Sequence, residues 1–154
     1  VGIFSFLFKP KEFFSAKDKE QIVQAIRNAE RETSGEIRLY VESHNPMVNV
    51  IDRAAEIFFS LKMENTDDRN AVLLYIAMKD RELALFGDEG IHKIVGADYW
   101  NSEVKNMIAQ FSKEHISDGI VQCVEHIGRT LKEKFPFDAD TDKNELPDEI
   151  VFGK

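Results

Sequence analysis

The 154-residue chain predicts an α/β protein, a three-layer α/β/α sandwich built on a small mixed sheet. Three observations carry that expectation. Stretches with apolar residues at helical spacing alternate with short strand-like runs. One run, 71–78, is apolar at every position, as in a strand covered on both faces. The run after it follows so closely that the two must form a hairpin.

The elements follow in order. Ser15 is placed to cap a helix, with Asp18 three residues on to complete a capping box. Ile22, Ala25, Ile26 and Ala29 then form one apolar face through about Arg31, and Gly35 is expected to end the helix in the left-handed conformation. From Glu36 to Ser43, Ile37, Leu39 and Val41 alternate with Arg38, Tyr40 and Glu42, the pattern of a half-buried strand. Asn45-Pro46 breaks it. A second helix runs from about Asn49 to Lys62, with Ile51, Ala54, Ala55, Phe58 and Leu61 inward. A polar turn, 64–70, leads to the apolar strand, and Lys79-Asp80-Arg81-Glu82 turns it back into Leu83–Phe86. Gly87-Asp88-Glu89-Gly90 ends that strand. Two amphipathic helices follow, one carrying Trp100, Val104, Met107, Ile108 and Phe111, the other Ile120, Val124, Ile127 and Leu131. The strand–helix–strand portion forms a parallel unit and the hairpin adds an antiparallel strand. This divides the chain into an N-terminal extension (1–15), one α/β/α domain (16–136) and an acidic tail (137–154).

Composition narrows the function. A net charge of -8 argues against nucleic acid and anionic membrane, which require a basic surface. One cysteine, Cys123, excludes an internal disulfide framework. No apolar run is long enough for a membrane span, and Val1–Phe8 does not read as a secretory signal, so a cytoplasmic location is expected. From Asp138 to Lys154 six acids face two bases, half of the net charge. Phe137, Leu146, Ile150, Val151 and Phe152 within that stretch predict that part of the tail docks on the domain.

The topology brings scattered acids together. The starts of the parallel strands and the end of the antiparallel one share an edge, so Glu36, Asp67 and Asp68, and Asp88 converge there. Asp118, just before the last helix, is expected to reach the same edge. Oxygen-only donors suit hard cations, Ca²⁺ or Mg²⁺. The bland reading is that these are solvated loop acids and helix caps. The opposite edge offers Glu42, His44, Asn45, Asp80 and Arg81, better read as an exposed hairpin tip. In the tail, Asp138, Asp140, Asp142 and Asn144 alternate and Glu149 follows, the spacing of a second, looser calcium site. Lys143 stands where an EF-hand loop needs glycine. Cys123 and Arg129 have the spacing of cysteine phosphatases, but on a helix face, where a buried thiol is inert.

Thr33-Ser34-Gly35-Glu36-Ile37-Arg38, Asn70–Tyr75, Arg81 through Ile91, and then Phe111, Gly119-Ile120, Ile127-Gly128, Leu131 and Phe135-Pro136 occur in an order that resembles the TPM domain. That is the family of thylakoid, photosystem-repair and receptor-associated proteins. The ending Asp142–Glu149 resembles its short, stand-alone bacterial members. The resemblance implies an α/β/α sandwich binding Ca²⁺ or a related divalent cation at acidic loops on one sheet edge, and an acid phosphatase activity attributed to chloroplast members. On that reading the metal polarises a phosphoryl oxygen and activates water, with Asp88 or Glu89 positioning it, and phosphomonoesterase activity is weak at best. The alternative is a non-catalytic module whose loops the ion stiffens and whose acidic tail meets a basic protein partner.

Overall fold

The computed structural model describes residues 13–112, 115–138 and 150–153. In chain order the elements are α1 (Ala16–Glu30), β1 (Glu36–Glu42), α2 (Val50–Ser60), β2 (Ala71–Ala77), β3 (Glu82–Gly87), α3 (Glu89–Ser112), α4 (Ile116–Lys134) and β4 (Val151–Phe152). The strands lie in the order β3-β2-β1-β4. β1 and β2 are parallel, from Glu36 opposite Ala71 to Glu42 opposite Ala77, and β3 returns antiparallel to β2. β4 pairs parallel with β1, Val151 opposite Tyr40.

The alternation of β1 assigns its two faces. Ile37, Leu39 and Val41, with Val72, Leu74, Ile76, Leu83 and Leu85, pack under α1, α3 and α4. On the other face Leu73, Tyr75 and Ala84 pack against Ala54, Ile57 and Phe58 of α2. Both faces are covered, so β2 is buried at every position. The mixed sheet and its helix layers form the expected sandwich.

Two local features depart from the expectation. The Ser15 side chain does accept the Asp18 N–H at 3.0 Å, but the helix ends through Arg31 in ordinary right-handed geometry, and Gly35 does not adopt a positive φ. Its lack of a side chain serves packing instead, since a Cβ there would stand 2.8 Å from Leu131 Cδ2. Nor is 87–90 a loop: α3 begins at Glu89 directly after β3, and breaks at Gly96, whose φ of 79° and ψ of 171° are non-helical.

The carboxyl ends of β1 and β2 are closed by charge. Glu42, 3% exposed, accepts Nε and Nη2 of Arg53 at 2.8 and 2.9 Å and also the Tyr75 hydroxyl. Burial, then the bond to Glu42, pushes the Tyr75 phenol above its ordinary value of 10.0. Beside it, His44 Nδ1 and the Asn45 N–H both bind Asp80, at 2.8 and 2.7 Å, latching the loop after β1 to the hairpin turn. These bonds, His44 first, hold Asp80 below the usual carboxylate range.

Arg53→Met should cost about 3 kcal/mol in denaturant unfolding, because it strands a buried carboxylate. The unfolded chain releases the Tyr75 proton near its ordinary value and the folded chain does not, so this contribution is complete below pH 10 and is lost above it. An ultraviolet titration is expected to show one tyrosine that ionises only as the protein unfolds.

Candidate functional site

The starts of β1 and β2 and the end of β3 meet at one rim, as the topology requires. Thr33–Gly35 is fixed there by the last turn of α4. The Thr33 hydroxyl lies against the carbonyls of Leu131 and Phe135, and the Ser34 N–H donates to Phe135 O at 3.0 Å. On the other side the rim is sealed by backbone. Asp88 N–H donates to Ala71 O at 2.9 Å and Gly90 N–H to Arg69 O at 2.8 Å. A Cβ on Gly90 would collide with Asp68 O and stand 2.6 Å from Arg69 O, so only glycine lets α3 start this close to the 67–70 loop.

Two polar groupings sit side by side on this rim. In the first, Ser34 Oγ donates to Asp68 Oδ2 at 3.2 Å and accepts from Asn70 Nδ2 at 3.1 Å. Asn70 is 1% exposed, and its Oδ1 is buried with no hydrogen-bond partner among the described residues. In the second, Arg69 forks onto Asp88, Nε to Oδ2 at 2.6 Å and Nη2 to Oδ1 at 2.9 Å, while Nη1 reaches Glu89 at 3.2 Å. Asp88 is 3% exposed, and its Oδ1 also accepts the Glu89 N–H at 2.8 Å. The carboxylate raises the pKa of the Arg69 guanidinium, which therefore stays charged. Arg69 holds this position with a φ of 49°, in the left-handed region that non-glycine residues seldom occupy.

Of the residues expected at this edge, Glu36, Asp67, Asp68, Asp88 and Glu89 are all on or beside it. Asp67 and Asp68 are exposed on the loop, and Glu36 is buried at the start of β1. Asp118 is not brought there. It lies in the first turn of α4, exposed beside Gln21 and Gln24 of α1, whereas the end of α4 that touches the rim is at Leu131. Those thirteen residues correspond to about 20 Å of helix. Asp138 is exposed, and Asp140, Asp142, Asn144 and Glu149 lie outside the described residues. Among the described residues, no three or more His, Cys, Asp or Glu side chains are grouped to hold a metal ion.

Arg69 and Ser34 are the residues that composition alone did not single out. The available signal was a lone arginine within Asp67-Asp68-Arg69-Asn70, the one cation in an acidic turn facing a second acidic turn. Midway along α4, burial pushes the Cys123 thiol up to about 12, so it is chemically quiet at neutral pH.

Helices on both faces of a four-stranded mixed sheet, with polar loops gathered on one rim, define an α/β/α domain. The TPM domain matches residues 7–130, and the chain belongs to that family. Among solved structures it is similar to the BA42 protein of the psychrophilic bacterium Bizionia argentinensis, at 39% identity and a TM-score of 0.85 over 93% of this chain and 97% of that one. It is also similar in fold to the N-terminal domain of the cg2496 protein from Corynebacterium glutamicum, at 12% identity and a TM-score of 0.62, covering 88% and 80%. No curated protein matches the chain. No helix among the described residues is long and apolar enough to cross a membrane.

Gly90→Ala is expected to push the 67–70 loop off α3 and break the Gly90–Arg69 bond. Thermal unfolding should fall by several degrees, and faster hydrogen exchange should be confined first to 67–70 and 88–92. Cys123 should resist thiol reagents in the folded protein at pH 8 and react at once in denaturant.

Proposed function

We propose that this rim binds a divalent cation, Ca²⁺ or Mg²⁺, through Asp68, Asp67, Ser34 Oγ and Asn70 Oδ1, and that the ion ties the 33–36 and 67–70 loops together. The observation that carries the proposal is the buried amide oxygen of Asn70 without a donor, next to a hydroxyl and a carboxylate. An oxygen acceptor in that position costs free energy until something positive meets it. The donor set is hard and oxygen-only, but it brings few charges, so the ion would retain waters and bind weakly. Glu36, behind the rim, and Asp118, at the far end of α4, are not needed for this set.

The same geometry favours a binding module over an enzyme. Both oxygens of Asp88 are engaged by Arg69, and Glu89, exposed, supports the same guanidinium. A water-positioning base at Asp88 would first have to lose Arg69. Phosphomonoester hydrolysis is the second reading, and Arg69 itself is the observation behind it. Its Nη1 holds only an exposed carboxylate, and a planar fork of this kind suits a phosphate. A bound ion would then polarise the phosphoryl oxygen.

At about ten times the dissociation constant, Ca²⁺ or Mg²⁺ should raise the melting temperature by about 4 °C relative to chelator. Amide shifts should centre on 34–36 and 67–70. Asp68→Asn should abolish both effects, and an aryl phosphate should not turn over. Identical melting curves with and without the ions would remove the cation site. Hydrolysis that disappears in both Asp68→Asn and Asp88→Ala would replace the module reading with the enzymatic one.

A further inference from the structure

The second feature of the molecule rests on a different part of the sheet. β3 is an edge of the sheet, and among the described residues no strand lies outside it. Since Asp88 N–H bonds Ala71 O, the antiparallel register turns the backbone groups of Phe86 and Ala84 toward β2. Those of Leu83, Leu85 and Gly87 therefore point outward. An edge is ordinarily blunted by lysine, proline or a bulge, and Glu82-Leu83-Ala84-Leu85-Phe86-Gly87 has none of these.

The edge is recessed rather than bare. Val50, Ile51 and Phe59 of α2 wall one side and Trp100, Asn101 and Val104 of α3 the other, enclosing a cavity of about 520 Å³ along Leu83–Gly87. Ile51 is 54% exposed and Phe59 50%. Scattered apolar residues are ordinary on a surface, whereas these continue the walls of one groove. Trp100 is a fixed wall, its indole N–H bonded to His92 Nδ1 at 3.0 Å and its ring over Gly87, where a Cβ would stand 2.8 Å from Cη2.

We infer that this groove accepts an extended segment of a partner polypeptide as a fifth strand, apolar at alternate positions and flanked by lysine or arginine. The main chain of the segment would pair with Leu83, Leu85 and Gly87 while alternate side chains fill the apolar walls. Charge selects basic flanks. Asp52, Asp98 and Glu89 are exposed at or next to lining residues against Lys93 and Lys105, and Arg53 and Arg69 are both held by carboxylates. A second copy of the chain is a poor occupant. Both copies would bring two helices to a recessed edge, and pairing Leu85 with its counterpart would set Glu82 of one copy against Asp88 of the other.

The test is selection of decapeptides from a random displayed library on the full chain, followed by amide exchange with the synthetic peptide chosen. Selected peptides should alternate apolar residues, lack central proline and carry basic ends. Their binding should slow exchange at Leu83, Leu85 and Gly87. Methylating alternate peptide amides, or the surface change Ile51→Ser, should weaken binding at least about tenfold, while Asp68→Asn, measured in chelator, leaves it unchanged. The proposal is overturned if no peptide is selected or if bound peptides leave those three amides unprotected. Protection that appears on concentrating the protein alone would assign the edge to a second copy and overturn it equally.

Discussion

The rim of this domain is organised by one charge-assisted contact, the guanidinium fork of Arg69 on both oxygens of Asp88. Asp88 is the junction between β3 and α3, and Arg69 the last turn residue but one before β2, so this pair fixes where a strand ends, where another begins and where a helix starts. Asp88, 3% exposed, is compensated by the Arg69 guanidinium. The backbone of Arg69 pays for this with a left-handed φ, a strain that persists because the carboxylate, Glu89 and the Gly90 amide all hold it. The acids of the rim thus split into two kinds: Asp88 and Glu89 belong to Arg69, and Asp67 and Asp68 face solvent.

That division explains how much of the site was legible in the residues. Strand alternation at 36–42 and the unbroken apolar run at 71–77 are local signals, and the βαβ connection with its hairpin follows from them. The convergence of Glu36, Asp68 and Asp88 on one edge is a consequence of strand polarity alone. Which acids would be neutralised was not legible, because it depends on a side chain in the left-handed region reaching across a helix start. Gly87 and Gly90 read as loop residues, yet each is glycine for contact: Gly87 under the Trp100 ring and Gly90 against the Asp68 and Arg69 carbonyls. Asp118 was misplaced for a related reason. The direction of α4 is set by Gly128 on Ala29 and by Leu131 on Gly35 and Thr33, long-range packing that no local period encodes.

The two ends of the sheet apply one rule with different results. At the carboxyl end Glu42 is buried with Arg53 and Tyr75, and at the amino end Asp88 is buried with Arg69. The first network has its members saturated and lies under α2, which suits a structural clasp. The second leaves an asparagine oxygen unmet and an arginine Nη1 held only by an exposed carboxylate. In open α/β sheets ligands commonly gather at the carboxyl ends of parallel strands. Here that end is closed by charge pairing and by β4, so the polar capacity left over lies at the other rim.

The rim and the β3 groove are joined through the same side chains. Arg69, Asp88 and Glu89 form one end of the groove as well as half of the rim. An ion on Asp68 and Asn70, as proposed, would place a positive charge beside the Arg69 guanidinium, which would raise the cost of keeping Arg69 in place and favour swinging it toward Glu89 and the groove mouth. A segment with a basic flank at that mouth meets the opposite situation, since it competes with Arg69 for Glu89. Coupling between the two must be reciprocal in free energy, so an ion that turns Arg69 onto Glu89 weakens the basic flank by the same factor as the segment weakens the ion. One arginine set between two carboxylate-bearing turns is enough to make the proposed sites read each other, without any movement of the sheet beneath them.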